Sequence, residues 1–194
     1  KKKVNDIASY GLGKIIDTPI LPGFLGYNQD VKRYDHDIKA ATTVLSQSGW
    51  TDQNNDGVKE KGQQVLSFDL VTPDEPQFVR IANLLGEEFS KIGIKINIKK
   101  ADASVLEKEF IANRNYDILL IGENLGGDPD PYSYWHSTQA DSPGLNFSGY
   151  SSGEVDKLLE EARQTTDVNI RIKDYKKFQD LLAEVIPAVF LYQP

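Results

Sequence analysis

The sequence predicts an α/β domain in which a mixed sheet is flanked by helices, and three observations carry this prediction. Apolar residues recur at helical spacing over residues 75–92, which indicates an amphipathic helix. Ile94, Ile96 and Ile98 then alternate with polar residues, as in a strand with one buried face. Residues 116–121 form a nearly continuous apolar run, as in an interior strand. Helical and strand patterns therefore alternate along the chain.

The remaining helices and strands are predicted from residue types that commonly begin or end such elements. A helix is predicted over residues 35–48, with Asp35 as its cap and Gly49 as its end. A strand is expected over residues 65–71, and Ser104 is expected to cap a short helix that reaches about residue 113. Two further helices are predicted to begin near Ser152 and at Asp167, followed by a last strand over residues 188–192.

The composition narrows the class of protein. Of the 194 residues, 39% are hydrophobic, 26% charged and 10% aromatic, which excludes a disordered tail, a collagen and a coiled coil. The net charge of −7 disfavours a nucleic acid partner, because nucleic acid binders normally present a basic face. No apolar run approaches the ~18 residues of a membrane span. Cysteine is absent, so disulfides, thiolate metal sites and cysteine nucleophiles are excluded.

A long segment rich in glycine, proline and aromatic residues is the first candidate for a binding site. It spans residues 122–153 and begins directly after the predicted interior strand. Loops of this length are uncommon in compact domains unless they are functional, and open α/β sheets bind ligands beyond the carboxyl ends of their strands. Glu123 and Asn124 stand nearest to the strand end and are predicted to set the polarity of the site. Asp128 and Asp130 each precede a proline, which favours a turn over a catalytic role.

Aromatic residues supply the candidate walls of this site. Aromatic side chains offer large rigid contact areas at low entropic cost, and Trp135 fits the domain core and a ligand wall equally well. Phe24 lies in a proline-fixed apolar loop, which indicates a segment packed against another surface. The predicted ligand-binding residues are Gly122, Glu123, Asn124, Leu125, Gly126, Tyr132, Tyr134, Trp135 and Phe24.

The sequence offers little support for catalysis, a cofactor or a metal. Asp52, Asn54, Asp56 and Gly57 match the first half of a calcium loop, but the twelfth position is Gln63 where a bidentate glutamate is expected. A polar hairpin is therefore favoured, with calcium left open. The two histidines have no metal-binding spacing, and neither a nucleophile elbow nor a phosphate loop is present. We predict no catalytic residue, no metal and no cofactor.

Several motifs, taken in order, resemble the family 5 extracellular solute-binding proteins of ABC importers. Residues 34–52 are similar to the family's Y-D…A-x-x-L-L-x-x-A-G-W-x-D helix, and residues 54–62 to its N-G-D-G-I-R-x-K-x-G hairpin. Residues 91–94 resemble L-x-x-I-G-I-x-V, and residues 116–122 with 128–131 resemble Y-D-x-x-L-x-G-W followed by D-P-D-P. Residues 146–159 match N-x-x-G-Y-x-N-x-x-V-D-x-L-L, and residues 186–191 match the closing x-x-P-x-x-P/F-L. The resemblance covers almost the whole chain.

The resemblance implies a fold and a role. Family members have the two lobes of a type II periplasmic binding protein, and residues 1–194 resemble only the C-terminal, ligand-closing lobe, without the N-terminal lobe. The implied partners are a peptide or other small solute, ABC permease subunits and the missing N-terminal lobe. The implied location is the periplasm or the outer face of the cytoplasmic membrane of a bacterium or archaeon, with a lipid anchor in some members.

One position departs from the pattern of the family's peptide-binding members. Those members carry a G-W-x-x-D stretch whose aspartate pairs with the α-amino group of the peptide. Here Glu123 stands at the tryptophan position, and Leu125 or Gly126 falls where the aspartate is expected. Either Glu123 supplies the anion, or the ligand has no free amine.

Two other classes of function stay open beside non-catalytic solute binding. A secreted hydrolase fragment would use a carboxylate pair such as Glu123 and Asp128, but no further acid or base supports that pair. A sensory ligand-binding domain would signal by contact and deliver no cargo. The sequence does not separate sensing from import.

Overall fold

A computed structural model describes residues 1–127 and 130–194 of the chain. The contacts within the chain divide it into two compact units. The first unit comprises Lys1–Asn5, Leu12–Tyr34 and Gly122–Pro194, and the second comprises Asp6–Gly11 and Asp35–Ile121. Helix α1 (Lys2–Ser9) contributes residues to both.

The first unit is built mainly of helices. It contains α5 (Tyr132–Trp135), a 3₁₀ turn (Ser137–Gln139), α6 (Gly153–Gln164) and α7 (Val168–Val185). Strands β1 (Lys14–Ile15) and β7 (Tyr192–Gln193) pair antiparallel. Side chains cap both long helices as predicted: the Ser152 hydroxyl accepts the Val155 N–H, and the Asp167 carboxylate accepts the Asn169 N–H.

The apolar faces of α6 and α7 pack together with α5 to form the core of the first unit. Phe178 and Val155 are fully buried at its centre, as their positions on the predicted apolar faces require. The buried members of this core are Ile20, Trp135, Val155, Leu159, Ala162, Tyr175, Phe178 and Leu182.

The second unit is built around a three-stranded parallel sheet. Strand β4 (Ser67–Pro73) lies at the centre between β5 (Lys95–Ala101) and β6 (Ile118–Leu119). Leu70 and Val71 of β4 are fully buried, as expected for a central strand of a parallel sheet. Helix α3 (Pro76–Ser90) connects β4 to β5 and buries Ile81, Ala82 and Leu84.

Shorter elements complete the second unit. Helix α2 (Ile38–Gln47) precedes an antiparallel hairpin of β2 (Glu60–Lys61) and β3 (Gln64–Val65). Helix α4 (Ala103–Val105) continues into a π-helical turn (Leu106–Ile111), which leads to β6. Within residues 1–127 and 130–194, no helix is long and apolar enough to cross a membrane.

The predicted α/β fold class is confirmed, and the strand pairing is divided among the parallel sheet and two short antiparallel pairs. Two predicted caps are wrong by a few residues. Asp37 caps α2 in place of Asp35, because its carboxylate reaches the Ala40 N–H, and Asp102 caps α4 in place of Ser104. That residues 1–194 form a single lobe of a larger protein stays a prediction.

A buried hydroxyl ties the end of β6 to β4. Thr72 is fully buried, and its hydroxyl donates to the Leu120 carbonyl at 2.9 Å. We expect Thr72→Val to lower the free energy of unfolding by about 1 kcal/mol, because the carbonyl loses a donor that water cannot replace. Urea titration followed by circular dichroism measures the change. In the matched control Thr43→Val, on exposed helix α2, the expected change is below about 0.5 kcal/mol. Equal losses of unfolding free energy in Thr72→Val and Thr43→Val would show that the buried hydrogen bond of Thr72 does not stabilise the sheet.

Candidate functional site

The loop of residues 122–127 contributes polar groups to the candidate site in the first unit. The Asn124 side-chain oxygen accepts the Gly126 N–H at 3.1 Å, and this turn places Gly126 at a φ of 65°. The hydroxyl of Tyr134 in α5 donates to the Asn124 carbonyl at 3.0 Å. Among the described residues, none forms a hydrogen bond with the backbone N–H of Glu123 or Leu125.

Among the described residues of this loop, Glu123 has a strongly raised pKa. The residue as a whole keeps an exposed surface, while its carboxyl group is closely surrounded by protein atoms. This burial raises the pKa of Glu123 to about 7. Burial, and then the negative charge of Glu123, raise the pKa of the Tyr134 phenol above its ordinary value. The negative charge of Glu123 therefore acts on the Tyr134 phenol.

A small apolar pocket lies beside this loop. Its volume is about 20 Å³, which is room for one water-sized group. Three of the predicted site residues, Leu125, Tyr134 and Trp135, line it together. The other lining residues are Pro19, Ile20, Asp130 and Pro131.

The back wall of the pocket belongs to the core. Trp135 is 5% exposed, and its ring lies 6.2 Å from that of Phe178 and 5.9 Å from that of Phe190. Ile20 is 1% exposed, and the buried Thr18 hydroxyl donates to its carbonyl at 2.8 Å. Trp135 therefore belongs both to the core and to the lining of the pocket.

A buried glutamine holds the segment that contains Pro19 and Ile20. The Gln179 amide of α7 donates to the Gly26 carbonyl at 2.8 Å, and its side-chain oxygen accepts the Asn28 N–H at 3.2 Å. Gly26 lies so close to Tyr175 that an added Cβ would stand 2.7 Å from the Tyr175 Cβ. Phe24, in the same segment, is half-buried and packs against the core.

Tyr132 is engaged within the protein. Its ring stacks on the His136 imidazole with centroids 4.1 Å apart, and the Arg163 guanidinium lies 3.8 Å from the same ring centroid. Arg163 also pairs with the Asp130 carboxylate at 2.6 Å, and Asp130 accepts the Tyr132 N–H. These contacts assign Asp130 a structural role, as its place before a proline predicted. Asp128, the other aspartate of the motif, lies outside the described residues.

The half-matched calcium loop folds as a polar hairpin in the second unit. Asp52 accepts the Gly57 N–H at 3.0 Å, Asn54 accepts the Asp56 N–H at 2.9 Å, and Asp56 accepts the Val58 N–H at 2.8 Å. The carboxylates of Asp52, Asp56 and Glu60 lie within 4.8 Å of one another. Glu60, at the ninth position of the loop, was not among the residues predicted from the calcium-loop pattern. These backbone contacts are those of the predicted hairpin.

The two histidines are held by ion-pair and hydrogen-bond partners. The His136 Nε2 lies 3.3 Å from Glu160, and its Nδ1 lies 2.9 Å from the Thr138 hydroxyl. His36 pairs with Glu88 at 3.2 Å in the second unit. His136 is 3% exposed, and its Nδ1 also accepts the Thr138 N–H at 3.2 Å, so the ring is fixed within the fold.

Residues 1–145 match the family model described as "Bacterial extracellular solute-binding proteins, family 5 Middle". The chain belongs to this family. It is 32% identical to the oligopeptide-binding protein AppA of Bacillus subtilis over 189 residues, and 33% identical to the probable D,D-dipeptide-binding periplasmic protein DdpA of Escherichia coli over 195 residues. These alignments cover 95% and 98% of the chain, and 34% of each relative.

Solved structures share the fold. AppA from Bacillus subtilis in complex with a nonapeptide matches 100% of this chain and 39% of its own, with a TM-score of 0.89 and 29% identity. NikZ from Campylobacter jejuni in complex with Ni(L-His) aligns with 100% of this chain over 39% of its own length, with a TM-score of 0.87 and 29% identity. The chain therefore spans about a third of the length of its relatives. The family predicted from the motifs is confirmed.

Proposed function

We propose that this chain contributes a ligand-binding surface to the solute-binding component of an ABC importer, which captures a peptide or peptide-like solute outside the cytoplasmic membrane. The observation that carries the proposal is the match of the whole chain to a protein solved with a bound nonapeptide. Relatives named for oligopeptides and dipeptides support the same ligand class. The partners proposed are the peptide, the permease subunits and the rest of a two-lobed receptor.

Two features of the candidate site suit a peptide. The backbone N–H groups of Glu123 and Leu125 are available to the carbonyls of an extended ligand, as in other peptide complexes that use backbone pairing. Glu123 is the anion that we assign to a ligand ammonium group. At Gly126 no atom lies within 4 Å of an added Cβ, which leaves space for a close approach of the ligand backbone. Gly122, Tyr132, Tyr134, Trp135 and Phe24 complete the proposed wall.

Binding without turnover is part of the proposal. Incubating the protein with trialanine and recording both the binding heat and the mass of the recovered peptide tests it. We expect measurable binding and recovery of the intact tripeptide. Absence of binding at millimolar peptide, or accumulation of alanine and dialanine, would overturn the proposal.

The assignment of Glu123 predicts a pH dependence of binding. With its pKa at about 7, the carboxyl is mostly protonated at pH 5.5, and half ionised at pH 7. A ligand ammonium group binds the ionised form, so we expect the affinity for trialanine to rise about tenfold between pH 5.5 and 7. Titration calorimetry across this range measures the effect.

The matched control is Glu123→Gln, which keeps the size and removes the charge. We expect its affinity to be flat over the same pH range. N-acetyl-trialanine, which has no ammonium group, should show no rise with the unmodified protein. An equal rise with pH in Glu123→Gln would rule out Glu123 as the anion.

A further inference from the structure

Helix α6 carries two rows of side chains that face different parts of the first unit. One row is apolar, at most 1% exposed, and belongs to the core: Val155, Leu159 and Ala162. The other row is polar and consists of Asp156, Glu160 and Arg163. Residues at this spacing share one face of a helix. All three polar side chains contact the α5 segment, which we define as residues 130–137.

The two carboxylates of the polar row hold the end of the α5 segment. Asp156 accepts the Ser137 N–H at 2.8 Å and the Ser137 hydroxyl at 2.5 Å. Glu160 lies 3.3 Å from the His136 Nε2. These contacts fix the turn after α5 against α6.

Arg163 holds the beginning of the same segment. Its Nε and Nη2 lie 2.6 Å from one oxygen of Asp130, whose other oxygen accepts the Tyr132 N–H at 3.1 Å. The guanidinium carbon lies 3.8 Å from the centroid of the Tyr132 ring, and the His136 ring stacks on that ring at 4.1 Å. Two planar groups cannot share one face of a phenol ring at these distances, so they lie on opposite faces. The Tyr132 ring is thus enclosed between Arg163 and His136.

Tyr134 connects the α5 segment to the loop of residues 122–127. Its hydroxyl donates to the Asn124 carbonyl at 3.0 Å. Burial, and then the charge of Glu123, raise the pKa of its phenol, which shows that Glu123 lies within electrostatic reach of α5. A displacement of α5 would therefore withdraw Tyr134 from the loop and open the surroundings of the Glu123 carboxyl to water.

We propose that Arg163 is a positioning residue for the binding site: it fixes Asp130 and Tyr132, and so holds α5 against the loop of residues 122–127. Arg163 acts through α5 and not on the ligand. Its importance for binding rests on the proposed function, whereas its effect on the loop does not. A loop that is held in place before the ligand arrives binds more tightly, because less ordering is needed on binding.

The ionisation of Glu123 reports the position of the loop without any ligand. We expect Arg163→Ala to lower the pKa of Glu123 from about 7 toward its ordinary value of 4.5, because the released loop exposes the carboxyl to water. Loss of the Arg163 charge alone would act in the opposite direction, since removing a cation disfavours an ionised carboxylate. Carboxyl ¹³C shifts recorded across this pH range measure the pKa, and the spectrum of Glu123→Gln identifies the signal.

Lys157→Ala is the matched control. Lys157 is another cation of α6, 75% exposed and paired with Glu161 of the same helix at 3.7 Å. Its removal changes the net charge equally and should leave the pKa of Glu123 at about 7. Arg163→Lys keeps the charge but loses the planar guanidinium, so we expect a smaller fall than in Arg163→Ala. Should Arg163→Ala fail to fold, the absence of any fall in Arg163→Lys would count against the proposal.

Binding of trialanine completes the test. At about pH 8, Glu123 is mostly ionised in both proteins, and we expect Arg163→Ala to bind trialanine at least about fivefold more weakly. A Glu123 pKa that stays the same or rises in Arg163→Ala would overturn the positioning role, and so would equal affinities of the two proteins. If the pKa falls but neither protein binds trialanine, Arg163 does hold the loop, and the peptide-binding function is wrong.

Discussion

Replacing Trp135 by alanine is expected to lower the free energy of unfolding by about 3–5 kcal/mol. The indole is 5% exposed, and it packs against the rings of Phe178 and Phe190 at centroid distances of 6.2 and 5.9 Å. Truncation removes the transfer free energy of a large aromatic side chain and opens a cavity in a close-packed core. Urea titration followed by far-UV circular dichroism measures the loss.

The conservative variant Trp135→Phe controls this experiment. It keeps an aromatic ring in the same place, and we expect a cost of less than half that of the alanine variant. A loss below about 1 kcal/mol in Trp135→Ala would show that Trp135 is not a core residue. The same result would show that the core does not fix Trp135 as the back wall of the pocket.

Replacing Gly26 by alanine is expected to cost about 2–4 kcal/mol. The φ of Gly26 is 78°, which costs an alanine about 1 kcal/mol. The added Cβ would also stand 2.7 Å from the Tyr175 Cβ and 2.9 Å from its Cδ2. Tyr175 is 1% exposed and belongs to the packed core, so overpacking adds about 1–3 kcal/mol.

Gly23 offers a matched control for Gly26. Its φ of 94° is also positive, but no atom lies within 4 Å of an added Cβ. Gly23→Ala should therefore carry only the backbone cost of about 1 kcal/mol. The difference between the two variants isolates the contact with Tyr175, and the same thermal or urea transition reports both. Equal costs would show that this contact does not fix the segment.

Helices α6 and α7 of the first unit begin at the residues predicted from the sequence. Ser152 and Asp167 stand directly before long amphipathic patterns, and each accepts a backbone N–H of the first turn. The start of α2 was less well determined, because Asp35 and Asp37 are both able to cap a helix. The position of the Ala40 N–H decides between them, and local sequence does not contain that information.

The pocket was predicted in part. Leu125, Tyr134 and Trp135 follow the predicted strand closely in sequence, so their proximity could be inferred. Pro19 and Ile20 stand more than 100 residues away along the chain, and the buried contacts of Gln179 bring their segment onto α7. The only local sign was a proline-fixed apolar loop. Long-range placement of this kind follows from tertiary packing and cannot be inferred from periodicity.

The short helix α5 escaped prediction for a different reason. Four residues are too few for a helical period to be recognised, and the preceding prolines and aspartates are typical of turns. The Asp130 carboxylate accepts the N–H of Tyr132, the first residue of the helix. The raised pKa of Glu123 was also not predictable, because it depends on the atoms that surround the carboxyl in the folded chain.

Amide chemical shifts of the ¹⁵N-labelled protein, recorded during titration with trialanine to millimolar concentration, test the central claim most directly. We expect shifts concentrated at residues 122–126 and in α5, with the Asp52–Gly62 hairpin unchanged. Shifts confined to that hairpin, or no shifts at any concentration of peptide, would contradict the claim that the loop after β6 binds a peptide.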